Sequence, residues 1–128
     1  MNGAPVVVTA AVIERDGQFL VTRRPPGVHL EGLWEFPGGK CEPGESHEAA
    51  LAREIREELN AAIDVGPELL QTVHHYPERS VVLHFHACTL RGDPVPQQGQ
   101  QMRWVSRADL AALPFPEADR ALIDLLTR

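Results

Sequence analysis

Hydrophobic and polar positions divide the chain into short β-type runs separated by turn residues, with one long segment of helical period. Residues 5–14 (PVVVTAAVIE) and 18–22 (QFLVT) are rich in β-formers, and Asp16 followed by Gly17 is a hairpin signal between them. Pro25, Pro26 and Gly27, with Gly32 behind them, mark residues 24–31 as a loop. Residues 33–36 read as a short strand that runs into Pro37, Gly38 and Gly39, then into a turn-rich stretch ending at Gly44 and Glu45. Residues 47–59 (HEAALAREIREEL) predict a helix: Ala, Leu, Glu and Arg dominate, Ser46 is placed to cap it, and Leu51, Ile55 and Leu59 recur every four residues. Further strands are expected at 69–76 and 80–90, joined near Pro77 and Glu78, and at 101–105. Ser106 and Asp109 have capping-box spacing and introduce a short helix, and 117–127 reads as a closing helix. Strands with interspersed helices point to an α+β fold with a mixed sheet packed on helices.

Composition narrows what such a fold can do. At 128 residues the chain makes one domain, 1–128, and 43% apolar content supplies one core. The net charge of −6 argues against a nucleic-acid polymer or a membrane surface as partner, because both are polyanions. The longest apolar runs, such as residues 6–8 and 10–13, fall far short of the ~20 residues that span a bilayer. No basic segment precedes them, so a secretory leader is not expected and the expected location is the cytoplasm. Two cysteines, Cys41 and Cys88, are too few for a disulfide scaffold.

The chemistry concentrates in the 47–59 helix. Glu57 and Glu58 lie three and four positions after Glu54, so the three carboxylates share one face. Such crowding costs roughly 0.2–0.5 kcal/mol per like-charged pair. Arg53 offsets part of it through Glu57, four residues on, but one cation cannot neutralise three anions. A hard divalent cation can: Mg²⁺ takes oxygen ligands and is typically held by one or two carboxylates plus substrate phosphates. An acidic helix face is ordinarily just solvated. Here, however, a glycine-rich loop that permits close backbone approach precedes it, and Glu45 adds a carboxylate just before the helix.

Residues 39–61 resemble the Nudix box, G-x5-E-x7-R-E-U-x-E-E-x-G-U, where U is a bulky aliphatic residue. Gly39, Glu45, Arg53, Glu54, Ile55, Glu57 and Glu58 fall on its specified positions. The identities in that register would arise by chance roughly once in 10⁷ windows. Asn60 stands where the box has its last glycine, and Ala61 where it has its last aliphatic. Asn is the next-best residue for a left-handed helix end, and Ile63 can make good the lost packing. Beyond the box, residues 33–40 (LWEFPGGK), the hairpin before them, Thr22, Arg23 and Arg24, the corner at 76–79 and the stretch 114–119 resemble the MutT-like branch.

The resemblance implies the Nudix α/β/α sandwich and hydrolysis of a nucleoside diphosphate linked to a group X. In MutT-like members X is a phosphate, and a nucleoside triphosphate yields the monophosphate and pyrophosphate. It further implies that Glu54, Glu57, Glu58 and the backbone carbonyl of Gly38 hold Mg²⁺, with Mn²⁺ able to substitute. Arg53 would orient the carboxylates, Glu45 would brace the loop, and Glu54 or Glu57 would activate water. A further glutamate frequent in MutT-like members is matched here by Gln98, an amide that cannot take a proton.

Substrate contacts are expected outside the box. Phe36 and Tyr76 could flank a base, Asp119 could read its edge, and Arg24 and Arg79 could reach sugar or phosphates. Candidate substrates are 8-oxo-dGTP, CTP or dCTP. Two readings compete with this one: another nucleoside diphosphate derivative such as an ADP-sugar, and a nucleotide-binding sensor of low turnover. The chain is expected as a monomer or homodimer. His84 and His86 alternate on one face of an expected strand, with His74 and His75 nearby. Without supporting cysteine spacing they read as structural histidines rather than zinc ligands. Trp34 and Trp104 read as packing groups.

Overall fold

A computed structural model describes residues 4–128. Its strands are β1 (Val6–Arg15), β2 (Gln18–Arg23), β3 (Trp34–Glu35), β4 (Gly38–Lys40), β5 (Ala62–His75), β6 (Ser80–Arg91) and β7 (Gln101–Ser106). Its helices are α1 (His47–Leu59), α2 (Arg107–Ala112) and α3 (Arg120–Leu126), the last entered through a 3₁₀ turn at Glu117–Asp119. The architecture is the expected α+β sandwich. β1 is its axis. It runs parallel to β6 from Val6↔Val81 to Ile13↔Cys88, while its other edge takes β4 at Val8–Ala10 and β2 at Glu14 and Arg15. β5 pairs antiparallel with β6, and β2 also pairs with β3 and β7.

Alternation along β1 and β6 sends side chains to two cores. Ala10, Val12, Leu83 and Phe85 face one side and pack with Leu110, Leu122 and Ile123 of α2 and α3. Ala11, Ile13, Cys88 and Leu90 face the other and bury Leu51, Ile55 and Leu59 of α1. No helix among the described residues is long and apolar enough to cross a membrane.

The local signals operate as their chemistry requires. Asp16 and Gly17 take positive φ (53° and 77°), as a two-residue hairpin of primed type needs. The Ser46 hydroxyl accepts from the Ala49 N–H at 3.1 Å, and the Ser106 hydroxyl from the Asp109 N–H at 3.2 Å. Two elements differ from expectation. Gly38 and Gly39, given no element of their own from sequence, form β4 with Lys40 and pair with β1. A Cβ on Gly38 would overlap the Thr9 carbonyl oxygen, so the close approach needs glycine. The strand expected from residue 69 begins at Ala62: Gly66 and Pro67 do not end it but are absorbed by register shifts between Val65 and Leu70.

Asn60 ends α1 in the left-handed region (φ 49°, ψ 42°), its N–H donating to the Arg56 carbonyl at 3.0 Å. Asn60→Gly should therefore hold or raise stability, whereas Asn60→Ile should lower it by about 1 kcal/mol or more. Urea denaturation midpoints of the two variants check this. Equal midpoints would contradict it.

Candidate active site

The start of β2's exit loop, β3, β4, the middle of α1 and the approach to α3 converge on a cavity of about 610 Å³. Its floor is the sheet face carrying Val8, Ala10, Leu83 and Phe85. Of the residues singled out from sequence, Arg24, Phe36, Gly38, Glu54, Glu58, Tyr76 and Asp119 line it, and so does Gln98. Glu57 does not: its side chain is 56% exposed on the outer flank of α1. Arg79 sits exposed in the β5–β6 turn, also off the cavity wall.

The helix side of the cavity is organised by Arg53. Its guanidinium donates to both Glu45 oxygens at 2.8 and 2.9 Å, to the Lys40 carbonyl at 3.0 Å and to Glu54 Oε1 at 2.9 Å. Glu57 and Glu42 stand further off, at 3.5 and 3.7 Å. Glu45 also accepts the Glu42 N–H at 2.9 Å, closing the loop ahead of α1. Hydrogen bonds from Arg53, then from the Glu42 N–H, hold the Glu45 carboxyl down at about 2. The two carboxylates in turn push Arg53 further up, Glu45 more than Glu54. Glu54 lies over Gly39, where a Cβ would come within 2.6 and 2.7 Å of its two oxygens. This glycine of the box is a seat for a carboxylate.

On the inner side the balance reverses. Burial, then the charges of Glu35 and Glu54, push Glu58 up to about 9. Burial also raises Glu35, although Arg24 lies 3.0 Å away and pulls it down. Glu35 is the residue that sequence reasoning left without a role. Its signal was its place between Trp34 and Phe36, whose inward packing turns the glutamate out of the core toward the cavity. At the far end burial and then Glu35 raise Asp119 to about 7. The Phe36 ring stacks on Phe115 (centroids 5.4 Å apart, 22°) and meets Phe85 edge-on, so it belongs to the core as well as to the wall. Tyr76 meets His74 and His29 edge-on. Arg24 is engaged by Glu35 and, at 2.6 Å, by the His29 carbonyl, while Arg23 and Lys40 add positive charge to the lining.

The donor set suits a hard divalent cation. Glu54 and Glu58 offer carboxyl oxygens on the cavity that Gly38 also lines, and the guanidinium groups of Arg24 and Arg53 are already committed to Glu35, Glu45 and Glu54. Crowded carboxyl oxygens that these guanidinium groups do not neutralise are what Mg²⁺ would satisfy.

A NUDIX domain model matches residues 8–125. The chain is 38% identical over 120 residues to the CTP pyrophosphohydrolase of Escherichia coli, covering 93% of this chain and 89% of that protein. It is 30% identical over 123 residues to the 8-oxo-dGTP diphosphatase of the same organism, covering 95% of each. The fold superposes on the MutT Nudix hydrolase of Burkholderia pseudomallei with a TM-score of 0.85 at 28% identity, covering 95% of this chain and 98% of that one. The chain belongs to the Nudix hydrolase family, in its MutT-like part.

Asp119 yields a test of the cavity's electrostatics. Between about pH 3.8 and 7 the folded protein keeps a proton on Asp119 that the unfolded chain has released, so this residue's contribution to stability falls as pH rises through that window. Asp119→Asn cannot titrate. It should gain stability relative to wild type between pH 4 and pH 8, by up to ~4 kcal/mol. Paired denaturant titrations at the two pH values measure the difference, and a pH-independent offset would refute the shift.

Proposed function

We propose that the protein is a Mg²⁺-dependent nucleoside triphosphate pyrophosphohydrolase, converting a triphosphate to the monophosphate and pyrophosphate. The observation that carries the reading is that one cavity of about 610 Å³ joins the carboxyl groups of Glu54 and Glu58 to the buried side chains of Phe36 and Asp119. The more similar of the two Escherichia coli relatives acts on CTP and the other on 8-oxo-dGTP, which makes CTP or dCTP the first substrates to try and 8-oxo-dGTP the second. Work on the nucleotide pool belongs to the cytoplasm.

Glu54, Glu58 and the Gly38 carbonyl would hold the ion, with Glu57 on the flank as an outer ligand. Bound Mg²⁺ supplies charge neutralisation and polarises a phosphoryl oxygen. Arg53 keeps Glu54 in place, and Glu45 keeps Arg53 in place. Lys40 and Arg23, on the cavity lining, counter the overall negative charge that would otherwise repel a triphosphate. Water attacks one phosphorus, the bridging oxygen leaves with its neighbour, and Glu54 takes the proton. Gln98 lines the cavity without offering a carboxylate, so the base comes from α1. Asp119, with a carboxyl near neutrality, accepts from or donates to the base edge.

Incubation with a panel of nucleotides and Mg²⁺, followed by chromatography, tests the reading. Monophosphate plus pyrophosphate is expected. Monophosphate plus a sugar phosphate from an ADP-sugar would replace it with the other hydrolase reading, and tight binding without products would replace it with a sensor. Glu54→Gln should lower kcat by about 10²–10⁴ with the fold retained. Near-wild-type turnover in that variant would remove Glu54 from the chemistry.

A further inference from the structure

A second cluster of ligating side chains lies on the opposite face of the sheet. His84 and His86 alternate with Leu83 and Phe85 along β6, so they point away from the cavity floor and toward the start of α1. There His47, the first residue of α1, lays its ring against His84 (centroids 4.1 Å apart) and near His86 (5.9 Å). Glu68 reaches the same point from the β5 bulge. One ligand atom from each of His47, Glu68 and His86 lies within 4.8 Å of the others.

Two details set this cluster apart from casual packing. His86 is only 9% exposed, and its Nε2 is buried with no hydrogen-bond partner. Its Nδ1 lies 3.1 Å from the Gly66 carbonyl, which can only accept, so Nδ1 donates there and the neutral tautomer with that bond turns its Nε2 lone pair into the cluster. A histidine oriented through one nitrogen by a backbone carbonyl, with the other nitrogen free, is the arrangement that metal-ligating imidazoles use. Glu68 is oriented as well: His84 Nδ1 hydrogen-bonds its Oε1, which stands 3.8 Å from His86 Nε2.

We propose that His47, Glu68 and His86 form a zinc site that ties the start of α1 to β5 and β6. Two imidazole nitrogens and one carboxylate suit a borderline divalent ion rather than Mg²⁺, which takes oxygen ligands. Zinc–ligand distances of ~2.0–2.1 Å in a tetrahedral site put ligand atoms ~3.3 Å apart. Binding therefore draws the ligand atoms together from the observed spacing, which is 3.8 Å between His86 Nε2 and Glu68 Oε1, and a water would fill the fourth position. The helix so anchored is the one that carries Glu54, Glu57 and Glu58. His74 and His75, closer to His84 in the chain than His47 is, take no part in the cluster.

The test is calorimetric titration of the chelator-treated full chain with Zn²⁺ in buffer containing millimolar Mg²⁺, which keeps the cavity carboxylates occupied. One equivalent is expected to bind with submicromolar Kd and to raise the thermal midpoint. Co²⁺ in its place should give the visible absorption of a tetrahedral site. His86→Gln and, at the less buried helix start, His47→Ala should each weaken binding by about 10-fold or more. His74→Gln should leave it unchanged, as should Glu54→Gln, which separates this site from the catalytic one. Absence of zinc binding, full affinity in both His47→Ala and His86→Gln, or loss of the signal in Glu54→Gln would each overturn the proposal.

Discussion

The helix side of the candidate active site hangs on one guanidinium. Arg53 joins the loop before α1, the end of β4 and the middle of α1 through four short hydrogen bonds, and among the described residues no other cation bonds to all three. Its planar fork matches the two oxygens of Glu45, while its remaining donors fix the Lys40 backbone and Glu54. Because Glu54 is held against Arg53 on one side and over Gly39 on the other, its direction is set before any substrate arrives. A lysine could supply the charge but not the fork.

Beyond Arg53 the cavity holds acidic groups in excess. Glu35, Glu58 and Asp119 all resist ionisation there, chiefly because burial penalises their charge. A pocket evolved for stability alone would fill these places with apolar side chains. Their retention where the sheet, α1 and the entry to α3 meet is the local conflict expected where function overrides packing.

Much of this was legible from sequence because it is set by neighbours in the chain. Ser46, the four-residue spacing of Leu51, Ile55 and Leu59, and Asn60 define α1 from end to end, and Asp16 with Gly17 defines the first hairpin. What escaped is set by distant partners. Gly38 and Gly39 have the composition of a turn and become a strand only because β1 lies beside them. Gly66 and Pro67 look like a break, yet β6 carries the pairing past them. The site divides the same way: the Nudix box exposes Glu54 and Glu58, whereas the place of Glu35 on the cavity depends on which way Trp34 and Phe36 face. His47 meets His84 and His86 only through the packing of α1 on the sheet, and no spacing along the chain announces it.

The parallel pairing of β1 with β6 has a kinetic corollary. Val6 must find Val81 and Ile13 must find Cys88, so the central ladder closes only after most of the chain has emerged from the ribosome. Until then the β1 edge that takes β6 stays unsatisfied, while β2 and β4 are the partners within reach on the other. Loop closure over such a span makes for slow assembly, with α1 forming early and the sheet zipping late. The nascent chain is therefore most exposed to aggregation just before β6 is released.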